Sequence, residues 1–182
     1  MLEREVKLRF DSPEQARAAA AAARATLLRP RRLQHDILFD TPDGQLRERG
    51  CALRLRHEDG TGVITFKGPV LASTMKLRDE YESGVSSPPQ MRAVLEGLGF
   101  GAWFTYEKYR EEYALPGVVV AIDETPIGTF VEVEGGEAAI LDATRLLGRT
   151  PGDFVLGSYR TLFAAHQDRS GGTAADMVFV VR

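Results

Sequence analysis

The stretch Glu3-Arg4-Glu5-Val6-Lys7-Leu8-Arg9-Phe10 constrains the fold more than any other part of the chain. Read as a β-strand, its alternate residues point to opposite sides. Glu3, Glu5, Lys7 and Arg9 share one face, and Val6, Leu8 and Phe10 share the other. An ordinary half-buried strand turns the apolar face inward and leaves its charges in water. Here the same pattern keeps returning. Arg54 and Arg56 oppose Leu53 and Leu55, and Lys67 sits with Thr65 opposite Ile64 and Phe66. Lys76, Arg78, Glu80 and Glu82 share a face away from Leu77 and Tyr81. Lys108 and Arg110 fall on the face of Tyr106, and Glu132 and Glu134 oppose Val131 and Val133. A face carrying two carboxylates and then an amine can hold both a metal cation and a phosphate.

Strands are expected near residues 2–10, 34–41, 51–58, 62–68, 74–84, 103–114, 117–124 and 128–134. The Asp59-Gly60 pair is a strong hairpin signal, so the sheet is mostly antiparallel. About eight strands suffice to close a barrel, which removes exposed edges. The expected fold is α+β: an eight-stranded antiparallel closed β-barrel, a tunnel with a charged lumen and its apolar faces turned outward under helices. Ser12, Pro13 and Gln15 give the start of a first helix that runs to about Leu28, with 29–33 a basic connector. Ser87, Pro88 and Gln90 start a second helix, whose stripe of Met91, Val94, Leu95 and Leu98 faces the core. Residues 137–147 and 154–167 read as helices and 168–176 as a mobile Gly-rich loop. Met177 to Val181 reads equally as a final strand or a docked tail. With 182 residues and no long linker, the whole of 1–182 is expected to form one domain.

Composition narrows the function. A net charge of −3 argues against a general nucleic-acid binder, although not against a local basic cavity. The single Cys51 rules out an intramolecular disulfide and points to a reducing, cytoplasmic setting. Charges at residues 3, 4, 5 and 7 do not resemble a signal peptide, and no apolar run is long enough to span a membrane. There is no glycine-rich phosphate loop. His35, His57 and His166 lack zinc spacing, and Ser73-x-x-Lys76 lacks the partner motifs of a serine hydrolase. Trp103 reads as rim packing rather than a stacking platform.

The candidate lumen set is Lys7, Arg54, Arg56, Lys67, Arg78, Lys108 and Arg110 against Glu3, Glu5, Glu80, Asp123, Glu132 and Glu134. Sealing such charges in a dry core would cost several kcal/mol per ion, so the lumen should be wet and occupied by ions. Arginines grip phosphate oxygens with paired donors, and clustered carboxylates suit a hard cation.

Several motifs occur in order: Glu3-x-Glu5-x-Lys7, Phe39-Asp40-Thr41-Pro42, Leu53-Arg54-Leu55-Arg56, Thr65-Phe66-Lys67-Gly68, Arg78-x-Glu80-Tyr81-Glu82, Lys108-Tyr109-Arg110, Ile122-Asp123 and Glu132-Val133-Glu134. Together they resemble the CYTH domains, or triphosphate tunnel metalloenzymes, over about residues 1 to 160. Members include thiamine triphosphatases, inorganic triphosphatases and one class of adenylate cyclases. The resemblance implies a Mg²⁺- or Mn²⁺-dependent enzyme acting on a small-molecule triphosphate, with homodimers among its members. It implies Glu3, Glu5 and Glu134 as metal ligands, with Asp123 and Glu132 at a second cation or orienting water. Lys7, Arg54, Arg56, Lys67, Arg78, Lys108 and Arg110 would hold the triphosphate. Lys7, Asp123 and Glu132 would act in catalysis. Glu80 and Glu82 stay open between bracing the arginines and lying on the surface. An adenylate cyclase and a non-catalytic polyphosphate or nucleotide binder are the competing expectations.

Overall fold

A computed structural model describes residues 2–180. The strands are β1 (Leu2–Phe10), β2 (Thr26–Asp40), β3 (Ala52–Glu58), β4 (Thr61–Lys67), β5 (Lys76–Val85), β6 (Gly101–Leu115), β7 (Val118–Thr125), β8 (Gly128–Gly135) and a short β9 (Phe154–Val155). The helices are α1 (Pro13–Ala22), α2 (Gln45–Glu48), α3 (Pro88–Gly97), α4 (Glu137–Leu146) and α5 (Tyr159–Ser170). Eight antiparallel strands run in the order β5-β4-β3-β2-β6-β7-β8-β1, and β1 returns to β5 to close the barrel. The expected α+β tunnel is what forms.

The hairpin turns follow local chemistry. Asp59 and Gly60 both take positive φ, at 48° and 81°, the combination a two-residue turn between twisted strands requires. Gly117 does the same between β6 and β7, at φ 76°.

Apolar faces point outward. Val6, Leu8 and Phe10 of β1, Val118, Val120 and Ile122 of β7, and Val131 and Val133 of β8 form one core with Ala16 and Ala20 of α1 and Ile140 and Ala143 of α4. Phe39, Leu55 and Val85 form a second core under Leu95 of α3. Fully burying a side chain of this size contributes about 1.5–3 kcal/mol. These outer layers leave the barrel interior to the charged faces.

Several expectations need correction. Helix α1 stops at Ala22 rather than Leu28, because Arg24 adopts φ 58° and turns the chain out. Residues 29–33 are therefore not a connector. They extend β2 along β6, and Arg29, Arg31 and Arg32 pair with Glu58, Glu124 and Glu112. At α3, Ser87 makes no side-chain cap bond, and only Leu95 of the predicted stripe is buried; Val94 and Leu98 are exposed. Residues 154–167 are not one helix. Phe154 and Val155 pair with Leu8 and Lys7, covering the edge of β1 beyond its contact with β5, and α5 begins only at Tyr159. The predicted loop starts later too, since α5 runs to Ser170 and ends at Gly171 with φ 66°.

The C-terminal segment is docked, and Val181 lies outside the described residues. β7 pairs with β6 only from Tyr109 onward, which leaves the preceding edge of β6 open. Met177 fills it: its N–H donates to Thr105 O at 3.0 Å, and Glu107 N–H donates to its carbonyl at 2.9 Å. Asp176 Oδ1 accepts from Thr105 N at 2.7 Å, and the Met177 side chain is fully buried against Phe104, Tyr106 and Phe163.

Candidate functional site

The charged faces converge on a cavity of about 990 Å³ inside the barrel. Glu3, Glu5, Lys7, Arg54, Arg56, Lys67, Arg78, Lys108, Arg110, Glu132 and Glu134 all line it. Asp123 does not. It lies on the same face but is completely buried, covered by the Lys108, Arg110 and Tyr159 side chains that bond to it.

Strand register explains the convergence. Glu5 lies opposite Glu134, and Lys7 opposite Glu132, across β1 and β8. Arg110 lies opposite Asp123 across β6 and β7, and Lys67 opposite Glu80 across β4 and β5. Every neighbour thus brings its charged face to the same side.

Two anion-facing clusters result. In the first, Asp123 Oδ2 accepts from Lys108 Nζ at 2.8 Å and Arg110 Nη2 at 2.6 Å, while Oδ1 accepts from Arg110 Nε at 2.7 Å. Glu132 bridges Lys7 at 3.0 Å and also contacts Arg110. In the second, Asp36 accepts from Arg56 at 2.9 and 3.2 Å and lies 3.6 Å from Arg54 Nε. Arg54 also donates to Thr65 and to Glu82.

The carboxylates gather at one end. Lys67 Nζ donates to Glu3 at 2.8 Å and to Glu80 at 2.6 Å. Glu5 takes Lys7 at 3.1 Å and Lys76. Burial and the adjacent Glu3 push the Glu80 carboxyl up to about 8, while Glu3, against its own burial, is held low by Glu80 and Lys67. Glu134 is exposed at the mouth, and its side chain makes no hydrogen bond or ion pair with the described residues. Its position in the wall, then repulsion from Glu3 and Glu5, push its carboxyl up to about 7. Solvent at the mouth screens part of that repulsion.

Burial also works on the lysines. It lowers Lys108 to about 8, with Arg110 adding to the effect against the pull of Asp123 and Glu132. It lowers Lys76 to about 8 as well, helped by Lys7 and opposed by Glu5. Lys7 goes the other way, because Glu132 and Glu5 outweigh its burial. Glu5 remains ionised despite its own burial, since Lys7, Lys76 and Lys67 surround it.

Among the described residues no three acidic, histidine or cysteine side chains are already gathered into a metal cage. The donor chemistry nevertheless fits a hard divalent cation. Glu3, Glu5 and Glu134 offer oxygen donors from neighbouring strands of the lumen, with Lys67 now on Glu3 and Lys7 and Lys76 on Glu5, so a cation would take the place of these ammonium groups.

Sequence reasoning missed Asp36, Lys76 and Tyr159. Asp36 follows the β2 alternation and Lys76 shares the face of Arg78, so both had a signal. Tyr159 had none, because it reaches the lumen from α5 across tertiary space. Its hydroxyl donates to Asp123 Oδ2 at 2.6 Å. Glu80 and Glu82 both reach the cavity: Glu80 is held by Lys67, while Glu82 braces Arg54 from an exposed position, 48% accessible. At one mouth Arg47 lies over the Trp103 ring, 4.4 Å from its centroid, and is anchored by Asp40 at 2.9 Å.

Comparisons place this architecture among known proteins. The CYTH domain profile matches residues 1–145. A protein of Methanocaldococcus jannaschii, provisionally named an adenylate cyclase, is 30% identical over 148 residues, 81% of this chain and 84% of its own. A solved structure from Pyrococcus horikoshii is 26% identical with a TM-score of 0.72, covering 90% of this chain and 99% of its own. A Hippeastrum protein, provisionally named an adenylyl cyclase and described as having a dominant triphosphatase activity, shares the fold at 24% identity and a TM-score of 0.64, covering 94% of this chain and 97% of its own. No helix among the described residues is long and apolar enough to cross a membrane. With its motif order, closed charged tunnel and matching profile, the chain belongs to the CYTH domain family.

Proposed function

We propose that the protein hydrolyses a triphosphate, inorganic or carried on a small organic group, with Mg²⁺ or Mn²⁺ as cofactor. The observation that carries this reading is the content of the lumen: Lys7, Arg54, Arg56, Lys67, Arg78, Lys108 and Arg110 line one cavity together with the carboxylates Glu3, Glu5 and Glu134. Glu3, Glu5 and Glu134 would hold the cation. When bound, it supplies Lewis-acid charge to phosphate oxygens. Arg54 and Arg56, aimed into the lumen by Asp36, grip the chain of phosphates with paired donors. Lys7, Lys67, Lys108 and Arg110 neutralise charge on the transferred and leaving phosphates. Lys76, on the same wall, joins this set. Glu132, tied to Lys7 and Arg110, would orient an attacking water, and Asp123 holds Lys108 and Arg110 at their spacing.

A second reading is an adenylate cyclase, favoured by the name of the Methanocaldococcus relative. The mouth leans against it, because the Trp103 face that could stack a base carries Arg47. The test is a product assay with purified protein and Mg²⁺ or Mn²⁺, offering inorganic triphosphate, thiamine triphosphate and ATP separately. Orthophosphate from triphosphate, abolished by chelator and without cyclic AMP from ATP, is the expected result. Cyclic AMP with pyrophosphate would replace the hydrolase by the cyclase. Tight binding without any product would reduce the protein to a binding module.

A further inference from the structure

Tyr159 lies beyond residue 145, where the family profile ends, yet it lines the lumen. We propose that Tyr159 is a positioning residue whose hydroxyl keeps Asp123 hydrogen-bonded when Lys108 and Arg110 turn from it to an incoming triphosphate. The inference rests on the triphosphate reading above and deepens it.

Asp123 is completely buried, so no water can replace a donor that leaves it. It has four hydrogen bonds: two from Arg110, one from Lys108 and one from Tyr159. Three of these come from the groups that face the lumen and would grip phosphate. Each N–H that swings to a phosphate oxygen is taken from Asp123. A buried acceptor stripped of donors pays its full desolvation penalty. The phenol has no competing use, so it stays with Asp123 and limits that penalty. Binding of the polyanion is favoured to the same extent.

The ring has its own part. Lys7 Nζ and Lys108 Nζ lie 5.1 and 4.9 Å from its centroid, so the ring sets the spacing of two cradle lysines. The helix that carries it is fixed from outside the barrel. Phe163 of α5 packs against Phe104, and the buried Met177 packs in the same cluster. Asp176, Met177 and Phe179 are tied to β6 through Thr105 and Glu107. The C-terminal segment thereby holds a tunnel residue in place.

The experiment is calorimetric binding of inorganic tripolyphosphate to the full chain in EDTA, comparing wild type, Tyr159→Phe and Tyr159→His. Melting temperatures are read alongside, with kcat and KM measured in Mg²⁺. Loss of one hydrogen bond to a charged group should weaken metal-free binding on the order of tenfold in Tyr159→Phe. KM should rise by a similar factor, with kcat changing less. Tyr159→His restores an N–H donor and should recover most of the affinity. It also decides the matter if the phenylalanine variant does not fold. A melting temperature that falls while affinity stays at the wild-type value would reduce Tyr159 to a structural role and overturn the proposal. So would a histidine variant that binds no better than phenylalanine. If wild type itself fails to bind tripolyphosphate, the triphosphate reading falls first. If wild type binds and Tyr159→Phe binds equally, only the role of Tyr159 falls.

Discussion

Asp36→Asn is the most informative single change. Asp36 is completely buried, accepts two hydrogen bonds from Arg56, and lies 3.6 Å from Arg54 Nε. Burial acts to raise its carboxyl, but Arg56, Arg54 and Lys108 outweigh that and hold it below the usual carboxylate range. It is therefore the resident anion for two cradle arginines. Removing one partner of a buried ion pair costs about 3–5 kcal/mol, because the remaining charge loses its counter-ion. Asparagine keeps the volume and one acceptor oxygen, so about 3 kcal/mol is expected. For a chain of this size that is a melting temperature lower by about 6–12 °C. The second half of the prediction has the opposite sign. Tripolyphosphate supplies the missing negative charge, and in the variant it need not compete with Asp36 for the guanidinium groups. The variant should bind tripolyphosphate more tightly than wild type and gain a larger melting shift from it. Thermal melts with and without tripolyphosphate, together with calorimetry, test both halves. A variant that melts within 2 °C of wild type, on the same scale of about 2–4 °C per kcal/mol, would refute the burial argument. Equal ligand-induced shifts in the two proteins would refute the cradle argument.

Further outcomes follow from other parts of the molecule. Glu5→Gln should abolish metal-dependent turnover while tripolyphosphate binding in EDTA persists, measured by orthophosphate release and calorimetry. Lys108→Ala should weaken that metal-free binding on the order of tenfold, since a charge-assisted contact is lost from a buried wall. Met177→Ala empties a fully buried site beside Phe104 and Phe163, so it should cost about 2–5 kcal/mol in urea unfolding. Asp40 predicts an acid-sensitive contribution. Burial acts to raise its carboxyl, but backbone N–H groups of Leu46 and Arg47 and the Arg47 side chain hold it below 3.8. Its stabilisation is thus complete above the unfolded value and is lost as pH falls through the lower folded value. Urea melts should separate wild type from Asp40→Asn by about 1–2 kcal/mol at pH 7, a gap that closes in acid as the folded-state carboxyl takes up its proton.

The chain's alternation was enough to read the barrel and most of its lumen. Period-two patterning is a local property, so Glu3, Glu5 and Lys7, or Arg54 and Arg56, declare a shared face without knowledge of their neighbours. Turn chemistry at Asp59-Gly60 then fixed antiparallel neighbours. The same logic reached Glu132 and Glu134. What alternation cannot express is depth. Asp123 shares the pattern of the lumen carboxylates, yet the structure covers it with Lys108, Arg110 and Tyr159, out of contact with the cavity.

Tertiary structure decided the rest, for reasons of distance along the chain. Helix α1 and strand β2 meet at Arg24, where a positive φ that no sequence rule marks ends the helix early. Phe154 and Val155 adjoin a helical pattern, but the bare edge of β1 claims their backbone for a short strand. Met177 is buried only because β7 leaves part of β6 unpaired. Tyr159 carries no local signal; its place in the tunnel is set by Phe163 and the docked tail. The sequence by itself determined which faces are charged and which are apolar, because side-chain direction follows backbone period. Only the closed barrel decided which opposite charges meet, how deeply each is buried, and which side chains from outside the strands complete the site.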